Sequence, residues 1–177
     1  QRNYHSLMDH LESGKAWDLN RKRDGLFILP PFLTRENGGE YSGLVEALRA
    51  NFDYLRRSTQ PYVILSSSDY ICNASFEDMV AQHLSSGADI TMMYIKVKPE
   101  HLEFSSSSAN NHSYLKIGEG NLVEDIEVNP NAANYPNLSM NVFMIKRTLL
   151  IHLIDQASAA RRISIPRSFA PTSIPAR

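Results

Sequence analysis

The sequence predicts an α/β domain built on a mostly parallel sheet with helices on both faces. Three observations carry this. Short apolar runs at 26–29, 62–65 and 90–97 each have the length of a buried strand. Stretches with apolar residues at helical spacing separate them. The resulting order is helix, strand, helix, strand, helix, strand, hairpin, strand, helix, and such alternation favours parallel strands joined by crossover helices.

Each element has its own justification. Tyr4, Leu7, Met8 and Leu11 fall at i, i+3, i+4 and i+7, one helix face, and Gly14 is a natural stop. The run 26–29 is closed by Pro30 and Pro31 and reads as a buried strand. Asn37-Gly38-Gly39 marks a loop. Leu44, Leu48, Phe52 and Leu55 mark one longer helix over roughly 42–58. Tyr62 to Leu65 is a second strand, followed at once by Ser66-Ser67-Ser68-Asp69. Ser75 with Asp78 is a variant capping box, and Gly87 suits the stop of the helix between them. Its apolar face carries Phe76, Met79, Val80, His83 and Leu84, so His83 reads as a packed core residue. Ile90 to Val97 is a third strand. Gly118-Glu119-Gly120-Asn121 joins two strands in a hairpin. The stretch 138–145 is a further strand, and Leu149, Leu150, Leu153 and Ile154 mark a last helix. Periodicity ends near Ser158. Residues 159–177, rich in Arg, Pro and Ser, read as a disordered or non-native tail after a partial domain over 1–158. A helical pattern already under way at Tyr4, with no opening Met, suggests that the chain begins mid-domain.

Composition narrows the functional classes. Of 177 residues 42% are hydrophobic and 21% charged, enough apolar material for a core. Eighteen basic residues against nineteen acidic ones, net −1, give no footprint of a nucleic-acid or anionic-membrane binder. No apolar run approaches the roughly 20 residues that cross a bilayer. The lone Cys72 has no partner for an internal disulfide and points to a cytoplasmic setting.

In open α/β sheets ligands lie beyond the carboxyl ends of the strands, so the segment after Leu65 faces the expected crevice. Asp69 sits there. It could hold a divalent cation that bridges phosphates, or it could make an Asx-turn; from spacing alone the turn is the preferred reading. The six histidines show no metal-ligand spacing. No Walker A loop, G-x-G-x-x-G or G-x-S-x-G occurs. Met92, Met93, Met140 and Met144 are most simply core. Lys15, Arg21, Lys22 and Arg23 form a basic run that is usually a solvated face.

Several collinear segments resemble ADP-glucose pyrophosphorylases, the glucose-1-phosphate adenylyltransferase family. They are 3–11, Ile28-Leu29-Pro30, Glu40-Tyr41-Ser42-Gly43 with Glu46-Ala47, Tyr62 through Asp69, 123–130, and Leu138-Ser139-Met140-Asn141-Val142-Phe143. The stretch Trp17 to Gly25 looks most like the GlgD-type regulatory subunit. The resemblance implies a Rossmann-like nucleotidyltransferase sheet, incomplete at the N-terminus. It also implies a hetero-oligomer with a catalytic GlgC-type partner, Mg²⁺, and ATP and ADP-glucose as ligands at family level.

It further implies a set of relic site residues. Gly43 would stand at the nucleotide-contacting turn, where the family's Gly-Thr becomes Gly43-Leu44. Val128 and Asn129 replace the Glu-Lys that holds the sugar phosphate before Pro130. Ser139 and Asn141 lie in the sugar-facing segment, where Asn141 replaces a glycine. Asp69 would be the metal residue, with Ser68 in place of the preceding glycine. His112-Ser113 replaces Phe-Gly at the hairpin. A compact ammonium neutralises a phosphate in a way that an Asn amide cannot. The family's Gly-rich phosphate loop is not found within the chain, and its second metal Asp and β-helix domain would lie beyond Arg177. The expectation is a regulatory, non-catalytic subunit. An active sugar-phosphate nucleotidyltransferase, or a truncated chain with no activity, is the rival.

Overall fold

The structure, a computed structural model, describes residues 5–22, 24–30, 43–68, 70–98, 112–130, 132–159 and 172–175. The chain divides into two compact units, 1–58 and 59–177.

In the first unit, α1 (His5–Leu11) is followed by Glu12 at a left-handed φ of 43°, and Gly14, the expected stop, takes φ 74° just beyond, ahead of a short 3-10 turn over Lys15–Trp17. A Cβ on Gly14 would come within 3.0 Å of Leu19 and Leu26 side-chain atoms, so glycine serves both the turn and the close approach. The helix expected over 42–58 is two helices, α2 (Leu44–Ala50) and α3 (Phe52–Arg57). Asn51 divides them at φ −108°, and its side-chain amide donates to Ala47 O at 2.9 Å. The Asn51 backbone N–H still donates to the same carbonyl at 3.3 Å, so the side chain adds to that bond, and the break lies in the Asn51 dihedrals. The run 26–29 forms no strand among the described residues. Phe27 and Leu29 are exposed, and Phe27 packs instead on the Tyr54 ring, with centroids 5.4 Å apart.

The second unit is a six-stranded sheet with helices: β1 (Tyr62–Ser66), α4 (Phe76–Ser86), β2 (Ile90–Lys96), β3 (Ser113–Ile117), β4 (Val123–Val128), β5 (Asn137–Lys146), α5 (Arg147–Ala159) and β6 (Thr172–Pro175). Helix α4 follows its local signals. Ser75 Oγ accepts the Asp78 N–H at 3.4 Å, and Gly87 closes it at φ 64°.

The expected mostly parallel, Rossmann-like sheet is not what these strands form. β5 pairs antiparallel with β1, β2 and β3, and β3 pairs antiparallel with β4; only β6 on β2 is parallel. The alternation did specify direction. Since β1 and β2 both oppose β5, they run the same way, as a β–α–β crossover requires. They are not neighbours, because β5 enters between them reversed. Of the expected tail, Thr172–Pro175 stands as β6 where no periodic element was read, and 160–171 and 176–177 lie outside the described residues.

The core is built on β2 and β5. Met79, Met93, Met140, Val142 and Met144 form one buried cluster, and Met92, Tyr94, Leu115 and Val123 another. His83 belongs to this interior at 2% exposure. Its Nδ1 lies 2.8 Å from Thr91 Oγ1, its ring meets Tyr62 edge-on, and its Nε2 has no hydrogen-bond partner. Burial first, then the Lys146 charge, push its pKa below 6.5, and Asp89 offsets part of this. A His whose folded pKa is depressed is protonated more readily in the unfolded chain. Its contribution is therefore complete above about pH 6.5 and lost as pH falls toward the folded value. Urea midpoints should fall between pH 7.5 and 5.5 (~), and His83→Gln should show a shallower fall. Equal slopes in the two proteins would contradict this.

Candidate functional site

The register of β5 defines a gap in the sheet. Ile145 pairs with Val63 of β1 and Ile90 of β2, so these strands flank β5 on opposite sides. Leu138 pairs with Ile95 of β2 and Tyr114 of β3, so β3 lies on the β1 side. β1 ends against Val142 and β3 begins against Leu138. Ser139, Met140 and Asn141 therefore face the break between them.

β5 is irregular at that point. Its register against β2 shifts between Met92 and Tyr94. Asn141 sits at φ 52°, a left-handed conformation that Asn tolerates better than other side chains. By resemblance this is a glycine position, so Asn preserves the backbone geometry while adding an amide. The Asn141 N–H donates to Ser139 Oγ at 3.2 Å, and Asn141 O accepts the Ser67 N–H at 3.1 Å. Ser139 is fully buried and Asn141 half-buried. The irregularity is thus tied to the segment that leaves β1.

A cleft of ≈ 310 Å³ opens here, lined by Ser66, Ser67, Tyr70, Cys72, Met93 and Met140 among others. Small-molecule pockets begin at about this volume. The Tyr70 hydroxyl lies 3.0 Å from His112 Nδ1, just ahead of β3. His112 is held in turn by Asn129, which follows β4. The His112 N–H donates to Asn129 Oδ1 at 2.8 Å, and the Asn129 N–H donates to His112 O at 2.8 Å. Asn129 adopts φ 47° to do this. A chain Tyr70–His112–Asn129 therefore spans the break in the sheet.

The structure brings Ser139, Asn141 and Asn129 to this region. Val128 ends β4 opposite Ser113 and is 65% exposed. Gly43 lies in the other unit as the N-cap of α2, with Ala47 N–H donating to its carbonyl. A Cβ on Gly43 would meet nothing within 4 Å. Asp69, the expected metal residue, lies outside the described residues. The sequence reading missed Tyr70, and it noted His112 only as a departure from the family pattern. The signal was there, because His112 and Asn129 are both departures and prove to be partners.

Comparison with known proteins fixes the family. The nucleotidyl transferase family profile matches residues 1–162. The chain belongs to the nucleotidyl transferase family. Within it the sequence is of the ADP-glucose pyrophosphorylase type and is GlgD-like. It is 42% identical over 88 residues to the glycogen biosynthesis protein GlgD of Geobacillus stearothermophilus, covering 50% of this chain and 26% of that protein. It is 42% identical over 92 residues to GlgD of Bacillus subtilis, covering 51% and 26%. It is 31% identical over 170 residues to the glucose-1-phosphate adenylyltransferase of Thermomicrobium roseum, covering 94% and 38%. The chain thus spans about a quarter to two fifths of the length of these relatives.

Nucleotidyl transferases generally use a divalent metal. The described lining residues include no carboxylate, and Asp69, the expected metal residue, is outside the described residues. A hard cation such as Mg²⁺ takes oxygen ligands, carboxylates above all. The cleft offers serine hydroxyls, a phenol, a thiol and thioethers. Among the described residues no three His, Cys, Asp or Glu side chains converge on a metal position. No helix among them is long and apolar enough to cross a membrane.

Proposed function

We propose that this chain is part of a regulatory, non-catalytic subunit of a glucose-1-phosphate adenylyltransferase. That assembly makes ADP-glucose and pyrophosphate from ATP and glucose 1-phosphate for glycogen biosynthesis in the cytoplasm. The observation that carries the reading is the engagement of Asn129. By resemblance it stands where a lysine holds the sugar phosphate. Here a neutral side chain accepts the His112 N–H. It supplies no charge, and its oxygen is directed at the protein's own backbone. Val128, where the resemblance places an acidic residue, offers no hydroxyl acceptor and points an apolar side chain to solvent.

The cleft retains the shape of a ligand site. Ser139 and the Asn141 backbone hold the β5 irregularity, and Ser67 fixes it to β1. In this reading the cleft binds its ligands weakly, with Mg²⁺ held weakly or not at all, and the chain acts by assembling with a catalytic GlgC-type subunit as a hetero-oligomer.

The test is to mix this chain with a catalytic GlgC-type chain. The two should co-elute in size-exclusion chromatography, and the apparent KM or kcat of the catalytic chain should change by a few-fold (~), a coupling of ordinary size. Separate elution with unchanged kinetics would defeat the proposal.

A further inference from the structure

We propose that the cleft beside β1 takes a small uncharged aromatic molecule, and that it selects such a ring over the same ring carrying a phosphate. The inference goes beyond the subunit reading above and does not depend on assembly with a partner.

The floor of the cleft is apolar. Met93, Met140 and Val142 line it, and all three belong to the buried cluster between the sheet and α4. Tyr70 lines it as well and packs against the same cluster. Phe76, the first residue of α4, adds a second aromatic ring and is 48% exposed. Thioethers and aromatic edges make favourable contacts with a flat ring, and a ring buried here removes its own apolar surface from water. The volume of ≈ 310 Å³ has room for a two-ring system.

The polar groups point to an uncharged ligand. Because Phe76 opens α4, a helix N-terminus stands at the edge of the cleft, and such an end ordinarily favours an anion. Here the preference is already met within the helix. Ser75 Oγ accepts the Asp78 N–H, and Glu77 and Asp78 place two carboxylates in the first turn. Those carboxylates oppose a phosphate. No described lining residue carries a positive charge. The Ser66 hydroxyl donates to Ser67 O at 3.0 Å, and the Ser67 N–H donates to Asn141 O at 3.1 Å, so both donors are directed at the protein itself. A phosphate entering this cleft would shed water without gaining a cation, whereas a neutral ring gives up no charge hydration.

The experiment uses the full chain and three probes that share one ring: 2-naphthylmethanol, 2-naphthylmethyl phosphate and 2-naphthylmethylammonium. Cys72 is the single cysteine of the chain, is exposed and lines the cleft, so its alkylation by N-ethylmaleimide reports occupancy at this place alone. The alcohol should slow alkylation saturably, with a Kd of about 1 mM or tighter. The phosphate should need roughly tenfold more, and the ammonium should bind no tighter than the alcohol. Phe76→Ala should weaken the alcohol about fivefold by removing one wall. Ile71 also lines the cleft and is fully exposed, so Ile71→Lys costs no buried contact. That cation should bring the phosphate to within about threefold of the alcohol. Phosphate binding as tightly as the alcohol in the unaltered chain overturns the proposal. So does tighter binding of the ammonium, or failure of all three probes to protect Cys72. None of these results bears on co-elution with a catalytic chain, which tests the subunit reading separately.

Discussion

Pyrophosphate release from ATP and glucose 1-phosphate by this chain alone should fall below about 0.1 per second, against roughly 10 per second for a typical enzyme. Nucleotidyl transfer depends on positioning two phosphate-bearing substrates and neutralising charge as it develops. A charge-assisted contact contributes about 1.5–3 kcal/mol, so on the proposed reading, in which Asn129 stands at a lysine position, that exchange removes roughly one to two decades by itself. The loss extends beyond charge. The Asn129 oxygen is already engaged by the His112 N–H, so turning the side chain to a ligand would give up that bond. Val128 adds a second deficit, since it cannot orient a sugar hydroxyl. The measurement is a coupled pyrophosphate assay with Mg²⁺ present in excess. Turnover of several per second would show that other residues do this work and would restore the active-transferase reading.

What was legible in the sequence and what was not divides by the range of the forces involved. Helix α4 was legible to the residue, because Ser75 and Gly87 act through their own backbone neighbours. The placement of His83 in the core was legible too, because an apolar face at helical spacing surrounds it. The hairpin of β3 and β4 followed from its turn. Sheet order was not legible. Direction follows from each crossover, but β5 entering reversed between β1 and β2 is a pairing over many tens of residues, for which no local signal exists. The division of α2 from α3 was lost for a different reason. The spacing Leu44, Leu48, Phe52, Leu55 runs straight through Asn51, and only the backbone dihedrals at Asn51 show the interruption. The family resemblance singled out Ser139, Asn141 and Asn129 as residues to follow, but not the contacts they make. The meaning of Asn129 could not be read, since it depends on His112 and so on the closing of the β3–β4 pair.

Leu115→Ala should destabilise the protein by about 2–5 kcal/mol, the usual range for a leucine truncated in a close-packed core. Leu115 is 0% exposed and packs with Met92, Tyr94 and Val123. It lies on β3 between β4 and β5, where strands on both sides limit how far the surroundings can close over a cavity. Its backbone carbonyl accepts the Asn137 side-chain amide at 2.9 Å, and the substitution leaves that bond in place, so the loss reports packing alone. The register supplies an internal control. Ile126 is directly opposite Leu115 on β4 and so points to the same face. It lies one strand further out, at the end of the sheet order, and is 38% exposed. Ile126→Ala should therefore cost much less, about 1 kcal/mol. Against a total stability of roughly 5–15 kcal/mol for a typical domain, the first change removes a large share and the second a small one. Denaturant midpoints should separate the two variants clearly, with the dependence on denaturant unchanged in both if each unfolds from the same compact state. Equal losses from the two substitutions would mean that β4 is covered to the same depth as β3, and the sheet order given for this end of the protein would be wrong.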